Sequence, residues 1–337
     1  MSQPRASAED SLLPRIEDYL RRRGMSPADV RLDRLAGDAS SRVYFRATPT
    51  GQASRILVLH ADPFTADELP QVVVGRLMDR LGIPIPSVLD AAGDLGLLVV
   101  EDLGDETLQS WLAGGHDGDA LYRQAVEMIA RIQGADAPSE STRLPFSLAF
   151  DVAKLGWELD FFRSEFLGAH RGVELDGARH DVLTEELAGV AARLADEPRV
   201  LCHRDYHARN LMVRDGGLVV IDFQDARMGP ATYDLVSLLR DCYVELPGAV
   251  SDRLVRQFLT LVPAQDTADF QARFDVMSIQ RHLKALGTFG HQVAIRNRSE
   301  FSEPIPRTLA YLRRTLHASA EYGRLLEVLA SALPELR

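Results

Sequence analysis

Lysine is nearly absent from this chain: only Lys154 and Lys284 occur among 337 residues, beside 36 arginines. A bias that broad makes arginine the default cation, so a single arginine carries little information, while the scarcity of lysine bears on mechanism below. Cysteine is equally scarce. Cys202 and Cys242 have no metal-ligand spacing, which excludes a disulfide framework and a zinc site and suits two buried thiols in a reduced, cytoplasmic setting. No run of about 18 apolar residues occurs, and the polar first ten residues lack the apolar core of a signal peptide, so no membrane association is expected. There is no basic excess either: a formal net charge of -11 argues against nucleic acid or an anionic membrane as the main partner. Hydrophobic residues at 46% and charged residues at 26% are ordinary for a globular chain, and 337 residues are too many for one comfortable core, which predicts two lobes.

Hydrophobic periodicity places a first helix over residues 11–23, closed by Gly24. Strands follow at 30–35, 42–47 and 55–60, then a helix over 66–81 and strands at 87–91 and 95–101. The stretch Glu101-Asp102-Leu103-Gly104-Asp105 breaks the pattern and reads as a hinge. Beyond it helical periodicity dominates, over 120–136, 148–165, 178–196, 231–244 and on to about Leu333. The fold class is therefore α+β: a small antiparallel β-rich lobe over residues 1–103 and a large α-helical lobe over 104–337.

The most informative stretch sits inside the helical half: His203-Arg204-Asp205-Tyr206-His207-Ala208-Arg209-Asn210, then the apolar run 218–221 and Asp222-Phe223. An Asp five residues before an Asn on one loop, with a second Asp after a short hairpin, supplies the groups that phosphoryl transfer needs. One carboxylate orients the attacking hydroxyl, while an amide oxygen and another carboxylate hold magnesium against the phosphates. Asp205 is the candidate base, and Asn210 and Asp222 are the candidate metal ligands, hard oxygen donors suited to Mg2+. His207, Arg209, Gln224 and Asp225 flank them as candidate substrate contacts. Residues 37–41 join two strands of the small lobe, where backbone N–H groups, Gly37 allowing the turn, and the hydroxyls of Ser40 and Ser41 can fold over the phosphates of ATP.

With these motifs in place, the chain resembles the aminoglycoside phosphotransferase-type kinases of the protein-kinase-like superfamily, and the likeness covers both lobes. More narrowly it is similar to the bacterial cell-wall-recycling amino-sugar kinases, through Gly37-Asp38-Ala39-Ser40, residues 101–105 and Asp222-Phe223-Gln224-Asp225-Ala226-Arg227-Met228-Gly229-Pro230. That resemblance implies an ATP- and magnesium-dependent kinase of a small-molecule sugar, acting on the anomeric hydroxyl of N-acetylmuramate or N-acetylglucosamine. It implies adenine contact by the backbone of residues 101–103, including Glu101 and Leu103, a packing role for His203, and an Asp234 that braces the catalytic loop. One expected part is missing: the third strand, Arg55-Ile56-Leu57-Val58-Leu59-His60, lacks the phosphate-pinning lysine. Kinases of the narrower group also carry a non-lysine there; Arg42, Ser40 and His60 are the candidates to replace it. Two alternatives stand beside the sugar kinase: an aminoglycoside or choline-like aminoalcohol kinase, and a nucleotide-binding regulator without transfer activity. Arg204, His207, Arg209 and Arg227 near the predicted cleft favour a neutral or carboxylate-bearing sugar over a polycation.

Overall fold

The computed structural model describes residues 12–35, 42–136 and 143–337; the expected phosphate loop with Gly37, Ser40 and Ser41 lies outside the described residues. Helix α1 (Leu13–Arg22) carries a proline in its first turn and buries Ile16, Tyr19 and Leu20, the three- and four-residue spacing of one face. It covers one side of a five-stranded antiparallel sheet in the order β1-β2-β3-β5-β4. The strands are β1 (Val30–Arg34), β2 (Val43–Pro49), β3 (Arg55–Leu59), β4 (Val88–Ala92) and β5 (Leu97–Glu101). Strand alternation divides their side chains cleanly. Phe45, Ala47, Leu57, Leu59, Leu97 and Val99 pack with α1. Tyr44, Ile56, Val58, Leu98 and Val100 turn to the opposite face, against Leu69 and Val72. Val72 belongs to α2 (Pro70–Arg80), whose Val74, Leu77 and Met78 join the core of the helical half instead. This helix therefore couples the sheet to the rest of the molecule.

The predicted hinge is braced from the sheet. Arg46 of β2 grips Asp102 with a fork at 2.7 and 3.0 Å, and Ser54 adds a 2.6 Å bond to the same carboxylate. Helices α3 (Leu108–Ala113), α4 (Asp119–Gln133) and α5 (Val152–Phe161) follow, and α5 runs on into a π-helical segment, Phe162–His170. The remaining helices are α6 (Gly177–Ala195), α7 (Tyr233–Leu239), α8 (Gly248–Leu261), α9 (Phe270–Ala294), α10 (Ile305–His317) and α11 (Gly323–Ala332). Two small ladders hold the catalytic segment: β6 (Arg199–Cys202) pairs with β9 (Arg227–Pro230), and β7 (Leu211–Arg214) with β8 (Gly217–Val220).

Two helix expectations are corrected. The helix expected from 148 starts at Val152, because Asp151 caps it by accepting the Lys154 N–H at 2.7 Å. The helix expected over 231–244 stops at Leu239, because the Asp241 carboxylate takes the N–H groups of Ala208 and Tyr243, both at 2.8 Å, and draws the chain into a turn.

Helix α9 is the spine of the lobe. At Gly287 and Gly290 it presses on the backbone of the α5–π segment so closely that an added Cβ would lie 2.9 Å from Phe162 N and 2.7 Å from Glu165 O. Gly→Ala within a helix ordinarily stabilises by about 1 kcal/mol. Here the sign reverses: Gly287→Ala and Gly290→Ala are each expected to destabilise by about 1–3 kcal/mol, the range for overpacked sites. Urea unfolding measures this, and unchanged or raised midpoints for both would show that the seam has room.

Candidate active site

The catalytic loop is built from its backbone outward. Asp234, at the start of α7 and fully buried, accepts the N–H groups of His203 at 2.6 Å and Arg204 at 3.0 Å. That pair of bonds holds Arg204 at φ 89°, a left-handed conformation rare for a non-glycine residue. His203 is buried, its Nε2 3.0 Å from the Ile221 carbonyl and its ring edge-on to Tyr206. Burial lowers its pKa and keeps it neutral, so it serves the packing role expected of it. Tyr206 in turn donates to the Ala125 carbonyl at 3.0 Å, anchoring the loop to α4.

Asp205 stands among cations. Lys284 Nζ lies 3.1 Å from its Oδ1, Arg281 Nη1 3.8 Å from the same oxygen, and Arg204 Nε 3.7 Å from Oδ2. Burial alone pushes this carboxyl up, but the charges of Lys284, Arg204 and Arg281 outweigh it and hold the pKa well below the usual carboxylate range. Asn210 donates its side-chain amide to the Asp205 carbonyl at 2.8 Å, which leaves its amide oxygen turned the other way.

Asp222 is the electrostatic opposite of Asp205. It too sits in the left-handed region, at φ 63°, so its side chain projects into the cleft with 43% of its surface open. Protein surrounds its remaining sides, and this desolvation raises its pKa, partly offset by a 2.8 Å bond from Gln224 and reinforced by the like charge of Asp205. Arg42, at the start of β2, reaches its Oδ1 at 3.5 Å. A carboxylate with little compensating charge, open on one side, fits a hard divalent cation that keeps further oxygen ligands from a bound phosphate. Among the described residues no group of three His, Cys, Asp or Glu forms a closed metal site.

The predicted substrate contacts separate into two groups. Gln224 and Asp225 stay with the site: Gln224 bonds Asp222, and Asp225 Oδ2 lies 3.4 Å from Arg204 Nη1. His207 and Arg209 pack on Tyr243, His207 edge-on at 5.3 Å and Arg209 over the ring at 4.7 Å, and His207 also borders the cavity beside Asp205. Burial lowers the His207 pKa to about 3, so the ring is neutral and offers no charge to a ligand. Glu101 differs from its expected role. Its N–H bonds the Ser87 carbonyl at 2.9 Å and its carboxylate pairs with Arg214 of β7, which makes it a tie between sheet and helical half. Leu103 follows it on the hinge, half-buried.

Several residues at this site had no motif to announce them. Arg281 and Lys284 come from α9, almost eighty positions beyond Asp205 in the chain; Arg281 also donates to the Arg204 carbonyl at 3.1 Å and the Tyr233 hydroxyl at 2.9 Å. From α5, Lys154 lies 3.5 Å from buried Glu158, whose charge reaches both Lys284 and Arg204. Both lysines of the chain thus belong to the charged cluster around Asp205. Their rarity was the one available signal: where arginine is the default, a lysine marks a place for a compact ammonium. A cavity of about 100 Å³ opens beside Asp205 and Lys284, bounded by His207, Tyr243 and Phe289. A larger one of about 610 Å³, along α10, shares none of the catalytic-loop residues.

A two-lobed scaffold with a carboxylate and an amide on one loop and a second carboxylate after the next hairpin is the arrangement of a phosphotransferase of the small-molecule kinase type. The family model for the phosphotransferase enzyme family matches residues 31–271, and the chain belongs to that family. It is 33% identical over 311 residues to the N-acetylmuramate/N-acetylglucosamine kinase of Pseudomonas aeruginosa, covering 89% of this chain and 88% of that one. The kinase of the same name from Neisseria meningitidis is 32% identical over 307 residues, covering 89% and 90%. Among solved structures, a choline/ethanolamine kinase family protein from Mesorhizobium loti superposes with a TM-score of 0.60 at 18% identity, covering 94% of this chain and 99% of that one. The ADP-bound aminoglycoside phosphotransferase APH(2'')-Ib gives 0.59 at 14% identity, covering 92% and 99%. These confirm the protein-kinase-like fold expected from the sequence.

The cations around Asp205 yield a pH prediction. The depressed pKa of Asp205 keeps it ionised as pH falls through the usual carboxylate range, and the ionised form is the one expected to orient an acceptor hydroxyl. Lys284→Met removes the largest of the lowering charges, so the carboxyl protonates at higher pH. The acid limb of the kcat/KM profile, which reports the free enzyme, is expected to move to higher pH. An acid limb that stays in place would show that Lys284 does not set the charge state of Asp205.

Proposed function

We propose that the protein transfers a phosphoryl group from ATP, with magnesium, to the anomeric hydroxyl of N-acetylmuramate or N-acetylglucosamine, in the cytoplasm and in the service of cell-wall recycling. The observation that carries the choice of acceptor is the charge around Asp205. Lys284, Arg281 and Arg204 all approach the carboxylate that must face the acceptor, and they would repel a polycationic aminoglycoside while accepting a neutral or acidic sugar. The names of the relatives from Pseudomonas aeruginosa and Neisseria meningitidis point the same way. We also read the division into lobes as falling between residues 103 and 104, at the hinge that Arg46 braces.

Bound ATP and magnesium supply the transferable group and the charge that offsets its oxygens. The chain's own residues do the rest. Asn210 and Asp222 would hold the metal, and Arg42, already directed at Asp222, is placed to meet the phosphates that the absent third-strand lysine would otherwise pin. Asp205 receives the hydrogen of the anomeric hydroxyl and aims its oxygen. A carboxylate whose pKa is held so low is a weak base, which suits a loose transition state in which positioning matters more than early proton removal.

Incubation with ATP, magnesium and each sugar tests the reading. The expected product is a glycosyl phosphate that releases phosphate in mild acid, as phosphates on other sugar hydroxyls do not. Phosphorylation of kanamycin-type compounds but neither sugar would overturn it. Asp205→Asn is expected to lower turnover about 10²–10⁴-fold, the usual worth of a positioned base, and retention of more than about half would remove Asp205 from that role.

Metal and acceptor roles separate in binding. Thermal stabilisation by ATP plus magnesium should persist in Asp205→Asn, which keeps the nucleotide site, and disappear in Asp222→Ala. Equal stabilisation of Asp222→Ala and wild type would exclude Asp222 as a ligand.

A further inference from the structure

One face of α5 turns toward the cluster around Asp205. Trp157 is 57% exposed, unusual for so large an apolar ring, and is stacked on Phe161 at 5.5 Å and 21°. Phe161 leans in turn on His291 of α9, 5.5 Å away. Lys154 Nζ stands 4.1 Å over the Trp157 ring and 3.5 Å from Glu158. A flat aromatic surface beside fixed polar groups is what a pyranose needs: its apolar C–H face lies on the ring while its hydroxyls and charged substituents meet the rim.

The positive charges here are crowded. Arg204 and Arg227 both act on Lys154, and burial with these like charges outweighs Glu158 and lowers its pKa. Arg204 is tied to Asp205 and Asp225, and Arg227 donates its Nε to the Asp225 carbonyl at 3.2 Å. Arg204 Nε and Glu158 Oε1, both buried, make long ion pairs, 3.7 Å to Asp205 and 3.5 Å to Lys154, and no hydrogen bond among the described residues. An ammonium over an aromatic platform, within range of the charges of Arg204 and Arg227 and beside buried groups held only by long ion pairs, forms a place that an anionic, hydroxyl-bearing ligand would complete.

We infer that α5 provides the acceptor subsite: Trp157, backed by Phe161, stacks the sugar ring, and Lys154, standing at that ring, takes the lactyl carboxylate that distinguishes N-acetylmuramate from N-acetylglucosamine. Lys284 then stands over the hydroxyl end of the sugar and Lys154 over its acidic substituent, so the two lysines divide the acceptor between them. The inference rests on the sugar-kinase reading above.

The test compares the two sugars within one variant. Lys154→Gln is expected to lower the ratio of kcat/KM for N-acetylmuramate to that for N-acetylglucosamine about tenfold or more, the scale of one charge-assisted contact. Because the ratio is internal, general loss of folding or activity cancels from it. Trp157→Ala is expected to raise KM for both sugars together. A binding readout needs no nucleotide: with Trp111→Phe removing the only other tryptophan, N-acetylmuramate should change the emission of Trp157. An unchanged sugar ratio in Lys154→Gln, or constant Trp157 emission at sugar concentrations that saturate turnover, overturns the inference and leaves the sugar kinase standing. Wild-type protein that phosphorylates neither sugar overturns the sugar-kinase reading and the inference together.

Discussion

The active site depends on one buried carboxylate that takes no part in the chemistry. Asp234 spans the backbone N–H groups of His203 and Arg204, and without that anchor nothing would hold Arg204 in a left-handed conformation that L-residues avoid. The turn it enforces sends Asp205 toward the cations of α9 and leaves Arg204's own guanidinium beside Asp205 and Asp225. Burial raises the pKa of Asp234, and two backbone bonds with the nearby Arg281 charge work against that rise. Asp241 repeats the device on the far side of the loop, accepting from Ala208 and Tyr243. Two carboxylates on and just after α7 thus fix both ends of a loop that the hydrophobic core alone could not shape.

The loop and the hairpin that follows it keep two carboxylates in opposite electrostatic states. Asp205 is pulled down by Lys284, Arg204 and Arg281, whereas Asp222 is pushed up by desolvation and by Asp205 itself. Environments that move paired acids apart assign their roles. The one whose charge the protein already balances is ready to hold a neutral hydroxyl. The one left poorly balanced presents hard oxygen donors whose charge a divalent cation could offset. Arg42 at 3.5 Å is a partial substitute, close enough to reduce the repulsion and too far for a strong pair.

Legibility in the sequence followed the distance over which each part is determined. The spacing Asp205, Asn210, Asp222 survives folding because a five-residue loop and one hairpin fix it locally, and the five strands show because alternation is a short-range pattern. The end of α7 at Leu239 was not legible, since it is set by Asp241 reaching back to Ala208, thirty-three positions away. Arg281 and Lys284 were beyond reach for the same reason: on α9 they look like any polar face of a helix, and only the close seam at Gly287 and Gly290 brings that face against α5 and the loop. His207 was read as a ligand contact because it lies between two functional residues. Tyr243, which covers it, belongs to a turn that sequence periodicity had assigned to helix.

The missing third-strand lysine takes on a different meaning once the sheet's register is known. Residues 42, 44 and 46 alternate onto one face of β2, the face that also carries Ile56 and Val58 of β3 and borders the helical half. Arg46 uses this direction to brace the hinge at Asp102, and Arg42, four residues earlier, uses it to reach Asp222 at the other end of the cleft. A cation therefore stands displaced to the entry of the neighbouring strand, and β3 presents aliphatic side chains on the same face. Arginine is suited to that displacement, because its longer planar fork spans the additional distance and grips phosphate oxygens in pairs. The compact ammonium of lysine is kept instead for Asp205, where Lys284 meets a single carboxylate oxygen at 3.1 Å in a space already crowded by two guanidinium groups.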